Sequence, residues 1–144
     1  MNSGKRIKLL SKVATKTHFE EAIRKKPLVL HISCHGVKKS ERAHMGLMTQ
    51  SQSEFAGHYL LFENHYGDGD LVSAQQLGEF IQKSSKDFSF SVVFVAACDS
   101  ESVGRIFESN GAKHVVCVEQ GRFVLDKAAI QFTKTFYDLL FNGE

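Results

Sequence analysis

The sequence predicts an α/β fold, a three-layer αβα sandwich around a mostly parallel sheet. Short apolar runs rich in β-branched residues alternate with amphipathic stretches of helical period along the chain. Several of these stretches begin or end with capping or turn residues, which marks them as separate elements. The chain contains no internal repeat and no linker, so we expect a single domain over residues 1–144.

The first third of the chain is predicted to form a strand, a helix and a second strand. Residues 6–10 (RIKLL) are a short apolar run and predict a strand. Thr17 and Glu20 have the spacing of a capping box and predict a helix, which Pro27 would end. Residues 28–33 (LVLHIS) are apolar almost throughout, which is typical of a buried parallel strand.

The middle of the chain is predicted to form a loop, a strand, a turn and a helix. Residues 37–57 are polar and irregular and predict a long loop. Residues 59–62 (YLLF) predict a strand, and residues 65–70 (HYGDGD) predict a turn. Ser73 and Gln76 form a second capping box, ahead of a helical stripe of apolar residues.

The last third of the chain continues the alternation. Residues 88–97 (FSFSVVFVAA) predict a central strand. Asp99 or Ser100 can cap the helix that follows, and Asn110-Gly111 can end it. Residues 114–118 (HVVCV) predict another strand.

The final helix is predicted to start at a cap formed by Asp126 and to end at Gly143. Its buried side would carry four apolar residues, Ala129, Phe132, Phe136 and Leu139.

Composition narrows the class of protein. Hydrophobic residues make up 42% and charged residues 24% of the 144, which excludes collagen-like and low-complexity chains. No apolar run approaches the roughly 18 residues of a membrane span, and no secretory signal is visible. Three cysteines without CxxC pairing fit a reducing compartment, so we expect a cytoplasmic protein without membrane association.

The formal net charge of +2 is unevenly distributed, with +8 on residues 1–45 and −6 on the remainder. Two differently charged solvated faces explain this pattern. A cationic face for nucleic acid or for an acidic partner is the alternative. Because no aromatic residues are interleaved with the basic ones, nucleic acid is not an expected partner.

Polar segments follow two of the predicted strands, at the edge of an α/β sheet where reactive groups collect. His35 and Gly36 follow the strand at 28–33, and Cys98 follows the strand at 88–97. If the two strands are neighbours, the His35 imidazole can transfer protons while the Cys98 thiolate attacks a carbonyl. The backbone N–H groups of Gly36 and Cys98 could form an oxyanion hole.

Simpler explanations exist for the same residues. A cysteine that ends a core strand is often a packed small hydrophobe, and a histidine before glycine is often a turn residue. A zinc site is a further alternative, but the spacing of its candidate ligands fits no standard motif, so a metal is not expected. Those candidate ligands are His31, Cys34, His35 and Cys98. The sequence also has no GxGxxG or P-loop motif, and no cofactor is expected. Cys34 and Cys98, if adjacent, could also oxidise to a disulfide that switches activity.

Four segments carry a family resemblance: LHISCHG, VVFVAACDSE, GAKHVV and AIQFTKTFYDLLFNG. In this order they resemble the CHAT domains, which are caspase-like and separase-like cysteine peptidases of the caspase–hemoglobinase fold group. In that family one apolar strand ends in His-Gly and a second in Ala-Cys-x-Ser. The resemblance covers residues 6–143, and four short motifs in the right order and spacing are fairly specific.

The resemblance implies a caspase-like fold and a cysteine endopeptidase that cleaves protein or peptide substrates through a thioester acyl-enzyme. It implies that His35 is the general base and acid and that Cys98 is the nucleophile. Gly36 and Cys98 would donate the oxyanion-hole N–H groups. Asp126, in the family's Val-x-Asp motif, would help to select a basic substrate residue, and capping of its helix explains this residue equally well.

Departures from the family leave alternatives open. Residues 119–123 (EQGRF) stand where the family usually has Leu-Trp, and the family's first strand and its C-terminal elements are not recognisable. We expect part of a longer protein or a reduced relative, with helical-repeat or other regulatory domains as candidate partners. A catalytically inactive caspase-like domain, used as a protein-binding or regulatory scaffold, is the main alternative. A flavodoxin-like small-molecule binder is another, by analogy of fold alone.

Overall fold

The structure is a computed structural model that describes residues 6–38, 58–84, 89–119 and 121–143. The strands in these ranges are β1 (Val29–Ser33), β2 (His35–Val37), β3 (Tyr59–Glu63), β4 (Gly69–Ser73), β5 (Val92–Ala96) and β6 (His114–Val116). The helices are α1 (Lys16–Arg24), α2 (Ala74–Ser84), α3 (Glu101–Ser109) and α4 (Asp126–Asn142).

The described strands form two sheets. β1, β5 and β6 make a parallel sheet with β5 in the middle, and Ser33 lies opposite Ala96 at one end of the β1–β5 ladder. This confirms the predicted α/β fold with a parallel sheet. β2, β3 and β4 make a second, antiparallel sheet. The sequence does not predict this second sheet, because the three residues of β2 are too few to show a period.

Helices α1, α2 and α3 cover one face of the parallel sheet. The strands follow one another in a single direction across the sheet, so right-handed crossovers place α2 and α3 on the same side. The core between sheet and helices is continuous and includes Leu30, Ile32, Val93 and Val95 from the strands and Ile23, Leu77, Val103 and Phe107 from the helices. The antiparallel sheet adds Leu60, Phe62 and Val72 to the same core.

Helix α4 contacts the opposite face of the parallel sheet through aromatic side chains. The ring of Phe94 in β5 lies 5.2 Å from that of Phe136 and 6.0 Å from that of Tyr137, between centroids. The predicted buried side of this helix is confirmed in part: Phe132 and Phe136 contact Phe94, but Phe132 is 56% exposed and Leu139 is 44% exposed. Ring contacts around Phe94 hold the helix, and they leave most of its apolar stripe open.

The strand predicted at residues 6–10 is wrong. No strand forms there, and the side chains of Ile7, Leu9 and Leu10 are all exposed. An apolar run becomes a strand only when a neighbouring strand offers ladder hydrogen bonds and side-chain contacts. Within the described ranges, β1 pairs with β5 alone and has no ladder with residues 6–10.

The predicted helix caps are confirmed in part. The Ser73–Gln76 box forms: the Gln76 N–H donates to Ser73 Oγ at 3.2 Å, and the Ser73 N–H donates to Gln76 Oε1 at 3.0 Å. The cap of α1 is Thr15, whose Oγ1 accepts the His18 N–H at 3.0 Å, and not Thr17. Thr15 has His18 three residues later and not Glu or Gln, so the capping-box spacing does not select it, and the helix begins directly after it at Lys16.

Some predictions concern residues that lie outside the described ranges, namely 39–57 of the predicted loop and the start of the strand predicted at 88–97. Within the described ranges, none of the helices has the length and apolar character that a membrane crossing requires.

Candidate functional site

The candidate site lies where β1 and β5 end at the same edge of the parallel sheet. The ladder ends at Ser33 and Ala96, and the Cys34 N–H then donates to the Ala96 carbonyl at 3.3 Å. His35 lies two residues beyond the end of β1, and Cys98 lies two residues beyond the end of β5. The parallel register therefore brings the His35-Gly36 segment and the Cys98 turn to one edge.

Gly36 packs directly against the backbone of Cys98. A Cβ atom on Gly36 would overlap the Cys98 carbonyl oxygen and would lie 2.9 Å from its carbonyl carbon and 3.3 Å from its nitrogen. Only a residue without a side chain permits this approach. The histidine-bearing segment and the cysteine turn are thus in backbone contact. His35 is exposed and Cys98 is half-buried, so both are accessible from outside.

The turn after Cys98 is held by two buried polar side chains, Asp99 and Ser100. Asp99 has a left-handed φ of 51°, a conformation that aspartate tolerates better than most residues. Neither side chain makes the helix-capping hydrogen bond that the sequence predicts, although Ser100 occupies the cap position of α3. Both are used for tertiary hydrogen bonds instead.

Ser100 joins the ends of β5 and β6. Its Oγ donates to the Val95 carbonyl at 3.2 Å and accepts the Val118 N–H at 2.9 Å. These two bonds tie the turn that carries Cys98 to the segment that follows the next strand. The position of the cysteine therefore depends on the packing of three chain segments.

We expect Ser100→Ala to lower the free energy of unfolding by about 1–3 kcal/mol, because it leaves the half-buried Val118 N–H and the buried Val95 carbonyl without this partner. Urea unfolding of the variant and the parent chain measures this loss. Ser109→Ala is the matched control, because Ser109 is exposed and its Oγ donates to the Ile106 carbonyl within α3. Equal losses in the two variants would contradict the role given to Ser100.

The Asp99 side chain contacts two other segments. Its Oδ2 lies 3.3 Å from the Nζ of Lys38, and its Oδ1 accepts a hydrogen bond from the Gly121 N–H. The Lys38 ammonium also lies 5.2 Å from the centre of the Phe123 ring. Sequence reasoning considers Asp99 only as a helix cap and misses this network, because neither the spacing nor the composition pairs these residues.

The other two cysteines differ from Cys98 in their surroundings. Cys34 packs against the hydrophobic core, and this burial raises the pKa of its thiol to about 12, with a smaller opposing effect of a hydrogen bond from the Leu61 backbone. Cys117 lies against Gly104, and burial with a neighbouring Glu101 raises the pKa of its thiol. Both thiols are therefore protonated near neutral pH.

The His31 side chain lies on the face of the parallel sheet that helix α4 contacts. Its ring stacks on Phe94 at 4.7 Å, its Nδ1 is hydrogen bonded to the Tyr137 hydroxyl at 2.9 Å, and burial lowers its pKa. These contacts explain it as an aromatic packing residue. In the described part of the chain, no three His, Cys, Asp or Glu side chains gather into a group that could hold a metal ion.

Asp126 is the first residue of α4 and is exposed. The cap position belongs to Leu125, and no side-chain hydrogen bond forms there, so the predicted cap is wrong. Five residues earlier, the Gly121 N–H donates a hydrogen bond to Asp99 and so connects this loop to the Cys98 turn. The predicted end of α4 at Gly143 is confirmed, and the structure shows Gly143 in a left-handed conformation with φ of 77°.

Chemically, the edge combines a half-buried thiol at a strand-to-helix turn with an exposed imidazole on the neighbouring segment. Such a set can carry out nucleophilic attack on an acyl group, with proton transfer by the imidazole.

Comparison with known proteins identifies the family of this chain. The family model described as "CHAT domain" matches residues 1–144. A curated relative, "Roc-COR-CHAT protease" from an unknown prokaryotic organism, is 30% identical over 122 residues, which are 82% of this chain and 10% of that protein. The chain thus spans about a tenth of the length of that relative. By the match over its whole length, this chain belongs to the CHAT domain family of caspase-like peptidases.

Proposed function

We propose that this chain is a cysteine endopeptidase in which Cys98 is the nucleophile and His35 is the general base and acid. The observation that carries the proposal is the backbone contact between Gly36 and Cys98, which joins the two segments at the shared edge of β1 and β5. The family membership and the protease name of the relative support the same chemistry.

In the proposed reaction the Cys98 thiol gives its proton to His35, and the sulfur attacks the carbonyl carbon of a peptide bond and forms a C–S bond. The N–H groups of Gly36 and Cys98 stabilise the negative oxygen of the tetrahedral intermediate. His35 protonates the leaving amine as the C–N bond breaks. His35 then takes a proton from water, whose oxygen attacks the thioester, and the carboxylic acid product leaves as the thiol regains its proton. Water is the co-reactant, so the reaction balances without a cofactor.

The proposed substrate is a protein or peptide chain with a basic residue next to the cleaved bond. Asp126 supplies the exposed carboxylate for that residue in this proposal. The loop at residues 121–125 reaches the site through the Gly121–Asp99 hydrogen bond, which supports a place for this loop beside the bound substrate.

Alkylation of the thiols by iodoacetamide tests the proposed nucleophile. At pH 7.5 we expect Cys98 to react at least about tenfold faster than Cys34. The Cys34 thiol, with its pKa raised to about 12 by packing against the core, has a thiolate fraction of roughly 10⁻⁴ or less near neutral pH, and this fraction rises with pH. Peptide mapping by mass spectrometry at several pH values gives the rate at each cysteine.

The outcome also separates the two main candidate functions. A Cys98 that reacts no faster than Cys34, in a chain that cleaves no peptide library, would support the inactive scaffold. One observation favours that second candidate: apolar side chains near the site and on α4 are open to solvent, as binding surfaces are. They include Phe123, Leu125, Ile130 and Phe132.

A further inference from the structure

Lys38 and Asp99 connect the two segments that carry the proposed catalytic pair. Lys38 directly follows β2, three residues after His35, and Asp99 directly follows Cys98. The Lys38 Nζ and the Asp99 Oδ2 are 3.3 Å apart. We propose that this ion pair is a positioning device, which holds the His35 segment and the Cys98 turn at the separation that proton transfer requires. The inference rests on the proposed function.

The Asp99 carboxylate is the fixed partner of the pair. Its side chain is 2% exposed, whereas that of Lys38 is 31% exposed. A carboxylate that is removed from water must be matched by a cation and by hydrogen bonds. Lys38 supplies the charge and the Gly121 N–H supplies a hydrogen bond, so each carboxylate oxygen has a partner from a different segment.

The backbone of Asp99 shows that the turn is held in an uncommon conformation. Its φ of 51° is left-handed, and a residue other than glycine stays there only when its surroundings hold it. Among the described residues, Lys38 and Gly121 contact its side chain from other segments. Loss of the cation would leave a buried carboxylate that has to move toward water, and the neighbouring Cys98 would move with it.

Phe123 extends the connection to the loop after β6. Its ring lies under the Lys38 ammonium, with 5.2 Å between the nitrogen and the ring centre. A cation near an aromatic face is attracted to it. The ion pair therefore joins the strand that carries His35, the turn that carries Cys98 and the loop proposed to lie beside the substrate.

Four variants test the positioning role. Lys38→Met keeps an apolar stem of similar length and removes the charge, and Asp99→Asn keeps an oxygen for the Gly121 N–H. The double variant removes both charges, and Lys38→Arg keeps the cation. Two rates are measured for each: alkylation of Cys98 at pH 7, which needs no substrate, and cleavage of a peptide library, with kcat and KM determined separately. The melting temperature is measured alongside.

We expect Lys38→Met to lower kcat and the alkylation rate by roughly 10- to 100-fold with KM within about twofold, because a shift of about 1 Å in a reacting group has effects of this size. Lys38→Arg should recover both rates to within about threefold of the parent chain. The double variant leaves no unpaired charge, so its melting temperature should return toward the parent value. Its rates should stay low, because the ion pair that fixes the separation of the two segments is absent.

Arg105→Met is the matched control. It removes an ion pair that is shorter, with 2.6 Å between the Arg105 and Glu101 side chains, and that is exposed on α3. Both rates should stay within about twofold of the parent chain.

Two results would overturn the positioning role. One is parent-like rates in folded Lys38→Met and Asp99→Asn. The other is a double variant that regains its rates together with its melting temperature, because this would make the pair merely structural. A failure of the proposed function looks different: Cys98 of the parent chain itself would be alkylated as slowly as Cys34, and the pair would have nothing to position.

Discussion

Replacing Cys98 by alanine is expected to abolish peptide cleavage. The substitution removes the sulfur that forms the proposed thioester, so kcat/KM should fall by roughly 10⁴-fold or more. Cys98 is half-buried and its fixed contacts to Gly36 are made by its backbone, so the variant should fold as the parent chain does. Cleavage of a fluorogenic peptide library with basic residues at varied positions measures the loss, and a circular dichroism spectrum checks the fold.

His35→Ala belongs to the same prediction, with a smaller effect. A positioned general base contributes about 10²- to 10⁴-fold, and the imidazole is exposed, so its removal should change the rate far more than the stability. Cys117→Ala is the matched thiol control. It should affect packing against Gly104 and leave cleavage intact. Full cleavage by Cys98→Ala would rule out this nucleophile, and full cleavage by His35→Ala alone would rule out the dyad.

Gly36→Ala is expected to destabilise the protein strongly. The added methyl group would overlap the Cys98 carbonyl oxygen and would lie 2.9 Å from its carbonyl carbon. Both atoms belong to the backbone, so relieving the overlap requires a shift of the whole chain segment. We expect the free energy of unfolding to fall by at least about 3 kcal/mol, or the His35-Gly36 segment to move away from the Cys98 turn. Urea unfolding measures the first outcome, and a faster or slower alkylation of Cys98 reports the second.

Gly78→Ala is the control for this substitution. Gly78 lies inside α2, and its added Cβ would be 3.3 Å from a methyl group of Ile106, which can adjust. Alanine also favours a helix over glycine by about 0.5–1 kcal/mol. The variant should stay within about 1 kcal/mol of the parent chain. If Gly36→Ala were equally well tolerated, the close approach of the histidine segment to the cysteine turn would be wrong.

The periodicity of the sequence predicts the elements that have a clear pattern of their own. Alternating apolar runs and helical stripes identify β1, β5 and the helices, and the reciprocal Ser73–Gln76 hydrogen bonds follow from a three-residue spacing. The same reasoning fails where the pattern is short or ambiguous. Residues 6–10 look like a strand and have no ladder, and β2 has three residues and shows no pattern.

The position of Cys98 and His35 at strand ends is also visible in the sequence, because each follows an apolar run. The environment of the cysteine turn is not. Asp99 and Ser100 look like helix caps, yet their partners come from β5, from the segment after β2 and from the loop after β6. A helix cap is a local contact and can be recognised by spacing, whereas these bonds join residues that only folding brings together.

The sequence by itself therefore determines the α/β class, the order of the main elements and the residues placed at strand ends, because these depend on contacts between near neighbours in the chain. Tertiary structure decided the second sheet, the open face of α4, the packing of Gly36 on Cys98 and the pairing of Lys38 with Asp99. Each of these features depends on which distant segments pack side by side, and a local sequence pattern does not specify contacts between distant segments.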